Sequence, residues 1–144
     1  MDFLTAMKIS GSALKAERTR LNVSAMNLAN ADTTRTIEGG PYRAKSVIFA
    51  AKPLAGSFGA QLDSADAKLR EVQVVEVVED QAPFKEVYDP SHPDANEEGI
   101  VMMPNVNVVE QMIDVMSARR AYEANVTALD AAKSMALKAL DISR

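Results

Sequence analysis

The chain has 144 residues, a net charge of -4 and no cysteine, which fits one domain or a helical part joined to a small β part. Without cysteine it has neither disulfide nor thiolate chemistry. It lacks a basic patch of the kind that binds nucleic acid and a run of about 18 apolar residues that could cross a membrane.

The N-terminal region predicts one helix over residues 2–30. Its opening, MDFLTAMKIS, lacks the basic and long apolar regions of a cleavable signal peptide. An apolar row recurs every seven residues, at Met7, Leu14, Leu21 and Leu28. A second row lies three residues before each of these, which is typical of a narrow helix-packing seam. Gly11 in the second row is either a tolerated surface glycine or a point where another helix approaches closely.

The middle segment, residues 31–105, is acidic and rich in turn signals. It has thirteen acidic and seven basic side chains, whereas residues 1–30 carry +2 and residues 106–144 carry no net charge. Short apolar runs between glycines and prolines predict strands at residues 42–50, 69–79, 84–88 and 100–103. These runs indicate a small antiparallel β element of three or four strands.

The C-terminal region predicts a second long helix that ends near Ile142. Asn107 followed by Glu110 resembles a capping box, and Asn105 is an alternative cap. The helix carries an apolar row at Met112, Val115, Tyr122, Val126, Leu129, Ala136 and Leu140.

These elements predict an α+β fold in which the two helices pair as an antiparallel, coiled-coil-like hairpin. Residues 1–30 plus 106–144 would form a helical assembly domain, and residues 31–105 a small β-rich lobe with loops. Because a hairpin alone buries little surface, its helices need further packing partners. The pattern therefore favours assembly over catalysis.

The sequence contains no catalytic constellation. His92, the one histidine, lies between two prolines, as an exposed turn residue would. Residues 94–99 imitate the start of a calcium loop, but its twelfth position would be Asn105 instead of the required bidentate glutamate. We therefore expect no enzymatic activity, no cofactor and no metal.

Residues 27–34, NLANADTT, resemble the signature of the axial proteins of the bacterial flagellum. Further segments in the same order resemble the FlgC family of flagellar basal-body rod proteins. They are GGPYR at 39–43, VYDPSHPDA at 87–95, MPNVN at 103–107, RAYEANV at 120–126 and AKSM at 132–135. The resemblance covers nearly the whole chain, although residues 51–68 match nothing distinctive and the family usually has an aromatic after Gly99.

The resemblance implies a structural subunit of the proximal rod, the drive shaft that transmits torque across the periplasm and encloses the export channel. It implies export by the flagellar type III apparatus without a cleaved signal peptide. The implied partners are copies of the chain and other rod proteins, with the inner-membrane ring and export gate nearby. Neither nucleic acid nor direct membrane insertion is implied.

Two sets of residues are candidates for assembly. The packing candidates are Leu14, Leu21, Leu28, Val115, Tyr122, Val126 and Leu129, each of which packs either within the hairpin or against another subunit. The polar candidates are Asn27, Asn30, Asn107 and Asn125, which either set register and satisfy helix ends or are ordinary caps and surface amides. The alternative function is a soluble secreted helical effector or chaperone-like module that offers a helix to one partner's groove.

Overall fold

A computed structural model describes residues 3–54 and 69–142. Its elements are α1 (Phe3–Ala29), β1 (Lys45–Pro53), β2 (Arg70–Glu79), β3 (Lys85–Tyr88), β4 (Ile100–Met103) and α2 (Val108–Ile142). The predicted α+β class is confirmed, because two long helices flank a small antiparallel β region. Residues 51–68 are the segment that matches nothing distinctive in the family. Most of this segment lies outside the described residues.

The described strands form two separate two-stranded sheets, β1 with β2 and β3 with β4. β3 and β4 are antiparallel, and Tyr88 lies opposite Ile100. The connecting loop closes where the Asp89 N–H donates to the Gly99 carbonyl at 2.9 Å. Gly99 has a φ of 73°, and a Cβ there would lie 3.0 Å from Tyr88 Cε2. Both the backbone conformation and the space therefore require glycine at this turn.

Two compact units make up the fold, and each contains a part of both helices. The first unit comprises Arg20–Val47 and Val77–Ser117, and the second comprises Met1–Thr19, Ile48–Glu76 and Ala118–Arg144. The predicted division into a helical domain and a β-rich lobe stays a prediction.

In the first unit the two helices run antiparallel. The Arg20 guanidinium pairs with the Asp114 carboxylate at 2.6 Å, and Asn27 Nδ2 donates to Gln111 Oε1 at 3.0 Å. From the first contact to the second, the residue number rises along α1 and falls along α2, so the two helices run in opposite directions. Beside them lies a small core made of Tyr42, Ala44 and Val106, packed against Ala31.

In the second unit the helices bury small side chains. Ala16 on α1 and Ala118 and Ala132 on α2 are all buried. The Val72 N–H of β2 donates to Ser12 Oγ at 3.1 Å and so joins the strand to α1. Because alanine adds little bulk, helices that meet at such positions can pack closely.

Candidate interaction surface

Asn27 is the centre of the polar core in the first unit. Its side chain is 1% exposed. Nδ2 donates to the Lys45 carbonyl at 2.7 Å and to Gln111 Oε1 at 3.0 Å, while Oδ1 accepts from the Lys45 N–H and the Tyr42 hydroxyl, both at 2.9 Å. Both donors and both acceptor positions of the amide are thus used. One side chain joins α1, the start of β1 and α2.

The Tyr42 hydroxyl is held in its protonated form. Burial raises the pKa of Tyr42 above its ordinary value of 10.0, and the nearby Glu79 carboxylate raises it further. The Glu79 carboxylate is itself paired with Lys45 Nζ at 3.5 Å. Tyr42 therefore keeps the proton that it donates to Asn27 throughout the neutral pH range.

The other predicted asparagines make local contacts. Asn30 and Asn125 each donate to the carbonyl four residues earlier, at 2.9 Å and 2.8 Å. Asn107 accepts from the Val109 N–H at 3.2 Å, so the predicted cap of α2 is confirmed. Among these four residues, Asn27 alone connects distant parts of the chain.

Asn105 has a role that the sequence analysis missed. Its Oδ1 accepts from the Ala44 N–H at 2.8 Å, and its Nδ2 donates to the Asp80 and Ala82 carbonyls at 3.3 and 3.2 Å. It ties the start of β1 to the segment between β2 and β3. The one sequence signal for a separate role of Asn105 was its position between a strand and Asn107, the residue that caps α2.

The predicted packing positions differ in burial. Leu14, Leu21, Leu28, Val115 and Leu129 are half-buried. Tyr122 and Val126 are each 36% exposed. The row that precedes the leucines on α1 is exposed, at Leu4, Gly11, Arg18 and Ala25. Whether any of these residues contacts another subunit stays a prediction.

The first turns of α2 expose large apolar side chains. Val109, Met112, Ile113 and Met116 are 65%, 51%, 57% and 52% exposed. We call these four residues the outer stripe. They follow the i, i+3, i+4, i+7 spacing of one helix face, and a continuous exposed apolar face is typical of an interaction site. The sequence analysis included Met112 in its apolar row but missed the other three, because it treated α2 as a helix with one seam.

An open cleft of about 720 Å³ in the first unit lies beside the turn at residues 35–41. Three of its five charged side chains, those of Arg43, Lys45 and Glu79, are engaged in structural contacts. The Arg43 guanidinium lies 4.3 Å from the centre of the Phe84 ring and donates to the Asp80 carbonyl at 3.1 Å. The first contact is a cation–π pair and the second is a hydrogen bond to the backbone. Both hold the wall of the cleft together.

The loop between β3 and β4 makes local turns. His92 Nδ1 accepts from the Asp94 N–H at 3.1 Å. Ser91 donates to Asp89 Oδ1 from its hydroxyl and its N–H, and these bonds lower the pKa of the Asp89 carboxyl. Within residues 3–54 and 69–142, no group of three or more His, Cys, Asp or Glu side chains is arranged to hold a metal ion. No helix of this described part is long and apolar enough to span a membrane.

Two family models match the chain. The family described as "Flagella basal body rod protein" matches residues 7–35, and the family described as "Flagellar basal body rod FlgEFG protein C-terminal" matches residues 97–142. These matches include most of α1, with Asn27, and all of α2, with the outer stripe.

Curated proteins named "Flagellar basal-body rod protein FlgC" are similar over the full length. The protein of Escherichia coli O157:H7 is 46% identical over 144 residues, which is 100% of both chains. That of Bacillus subtilis is 42% identical over 96% of this chain and 97% of its own. That of Borreliella burgdorferi is 39% identical over 99% of this chain and 98% of its own.

Proposed function

The chain belongs to the FlgC family of flagellar basal-body rod proteins, and we propose that it polymerises into the proximal rod through its two terminal helices. As a member of that family it is a structural subunit of the flagellar basal-body rod. The observation that supports polymerisation is the outer stripe, four large apolar side chains that remain more than half exposed. The alternative of a soluble single-partner module is not favoured by the family relationship.

Covering the outer stripe would supply a driving force for assembly. Full burial of a side chain of this size contributes about 1.5–3 kcal/mol. Covering the remaining half of four such side chains thus contributes several kcal/mol before the cost of association. When the covering surface is a different patch on the neighbour and the rotation between subunits does not close a ring, the contact repeats along a filament. A rod is such a filament.

The finer role that we propose is a drive-shaft segment around the export channel. In it, residues 1–30 and 106–144 form the assembly domain, and residues 31–105 form a lobe that contacts adjacent rod proteins. In this proposal the two terminal helices form the wall of the rod around the export channel. The packing candidates, Leu14 to Leu28 on α1 and Val115 to Leu129 on α2, pack within that wall. Export by the flagellar type III apparatus without a cleaved leader is part of this proposal, and the resemblance to rod proteins supports it. A structural role without catalysis is part of the same proposal, and the family relationship supports it.

Mass spectrometry of detergent-extracted, purified hook–basal bodies tests the rod assignment. We expect this chain at a few copies per structure in the bacterium that produces it. The matched control is the same fraction from cells in which the gene is deleted. A chain that is absent from this fraction but abundant in the soluble or secreted fraction would contradict the proposal and favour the single-partner module.

A further inference from the structure

The outer stripe contains two methionines, Met112 and Met116, which are its chemically reactive members. They are 51% and 52% exposed and lie one turn apart on α2, about 6 Å along the helix axis. The methionine side chain is flexible and ends in a thioether, so a dissolved reagent has access to the sulfur of a side chain that is half exposed. Val109 and Ile113, the other two members, carry only hydrocarbon. Oxidation within the outer stripe is therefore confined to the two thioethers.

The composition of the chain directs oxidants to methionine. It has eight methionines but neither cysteine nor tryptophan, and cysteine and methionine are the side chains that mild oxidants attack by transfer of an oxygen atom. Outside the outer stripe, Met26, Met102 and Met135 are 43%, 45% and 66% exposed. Exposure alone therefore does not distinguish Met112 and Met116. What distinguishes them is their position in one apolar face.

We propose that Met112 and Met116 form a reversible modification site whose oxidation blocks assembly of the folded chain. An oxidant such as hypochlorous acid transfers its oxygen atom to the thioether sulfur, which becomes a sulfoxide. The sulfur loses an electron pair, the chlorine leaves as chloride and the proton of the acid is released. Methionine sulfoxide reductases reverse the change, one enzyme for each epimer. The inference rests on the rod function proposed above, in which neighbouring subunits cover the outer stripe.

Oxidation at these positions acts on assembly more than on the fold, because both side chains are half exposed in the free chain. A sulfoxide is polar and its oxygen accepts hydrogen bonds, so water solvates it in the free chain. In an apolar contact the same oxygen loses its water and meets no donor, which makes its burial unfavourable. Once neighbours cover the outer stripe, they shield the two sulfurs. The oxidant therefore acts on free copies and spares assembled ones.

Sublethal hypochlorous acid tests the site in cells that produce the full chain. Met112→Leu with Met116→Leu removes both thioethers and keeps the outer stripe apolar. Met102→Leu with Met135→Leu is the matched control, since it removes two exposed thioethers from outside the outer stripe. Each culture is compared with its own untreated half, so a change in basal assembly cancels. We expect the oxidant to lower hook–basal bodies per cell at least about tenfold with the unmodified and control chains, and less than about twofold with Met112→Leu and Met116→Leu together.

A permanent stand-in for the sulfoxide tests the same site without oxidant. Met112→Gln with Met116→Gln places a polar side chain of similar length at both positions. We expect assembly to fall at least about tenfold while the purified variant keeps its far-UV circular dichroism. Met102→Gln with Met135→Gln is the control, and we expect it to assemble normally. Peptide mass spectrometry of treated samples should find sulfoxide at Met112 and Met116 in the free chain, and at least about tenfold less in intact basal bodies.

Equal sensitivity of the unmodified chain and Met112→Leu with Met116→Leu would overturn the proposal, because the oxidant would then act elsewhere. So would normal assembly of Met112→Gln with Met116→Gln, or equal protection by Met102→Leu with Met135→Leu. None of these results bears on whether the chain is present in the rod, which the mass spectrometry of untreated basal bodies measures separately.

Discussion

Replacing Asn27 with alanine is expected to lower the free energy of unfolding by about 3–5 kcal/mol. The change removes four hydrogen bonds at a side chain that is 1% exposed. It leaves the Tyr42 hydroxyl, the Lys45 N–H and carbonyl, and the Gln111 amide without that partner. Each buried polar group left unsatisfied costs about 1–3 kcal/mol, and the better helix propensity of alanine returns well under 1 kcal/mol.

Urea denaturation followed by far-UV circular dichroism measures this effect. Asn30→Ala is the matched control, because the Asn30 side chain donates within its own turn, to the Met26 carbonyl at 2.9 Å. We expect that control to lose about 1 kcal/mol or less. If Asn27→Ala lost no more than Asn30→Ala, Asn27 would not hold α1, β1 and α2 together.

Replacing Ile113 with aspartate is expected to abolish rod assembly while the free chain stays folded. Ile113 is 57% exposed, so the new carboxylate is solvated in the free chain. If neighbouring subunits cover the outer stripe in the rod, as we propose, burying an unpaired carboxylate there costs several kcal/mol. That cost exceeds the contribution of about 1.5–3 kcal/mol from the whole isoleucine side chain.

Electron microscopy of extracted basal bodies, together with swimming in soft agar, measures the assembly defect. Circular dichroism and the urea midpoint of the purified variant establish that the fold is kept. Ala128→Asp is the control, since it introduces the same charge at an exposed position of α2 that lies on a different face of the helix from the outer stripe. Normal rods in Ile113→Asp would mean that the outer stripe stays open in the assembly.

Sequence patterns were sufficient for the order of the described elements but not for all of their bounds, since the strand predicted at residues 42–50 is observed at Lys45–Pro53. They were not sufficient for the contacts between elements. The candidate caps Asn105 and Asn107, and the run without glycine or proline after them, placed the start of α2 within about two residues of its observed start at Val108. Asn27 was recognised through the NLANADTT segment. Its partners could not be, because Tyr42 and Lys45 follow an irregular segment and Gln111 lies 84 residues away, and local periodicity carries no information on such long-range bonds.

Which face of α2 is buried could not be predicted, because both faces of the helix carry apolar residues. Ala118 and Ala132 are buried, whereas Met112 and Met116 of the outer stripe are exposed. Large apolar side chains ordinarily occupy the interior, so a rule based on hydrophobicity alone assigns the wrong face. The inversion agrees with the proposal that neighbouring subunits cover the outer stripe.

Thiol accessibility at position 113 tests most directly whether neighbouring subunits cover the outer stripe. The chain has no cysteine, so Ile113→Cys provides the one reactive thiol in this chain, and its labelling is followed on the band of this chain after denaturing electrophoresis. A water-soluble maleimide is applied to the purified free chain and to intact basal bodies that contain the variant. Because labelling requires access to the thiolate, burial of the outer stripe predicts labelling at least about tenfold slower in basal bodies than in the free chain. Equal rates in the two samples would contradict it.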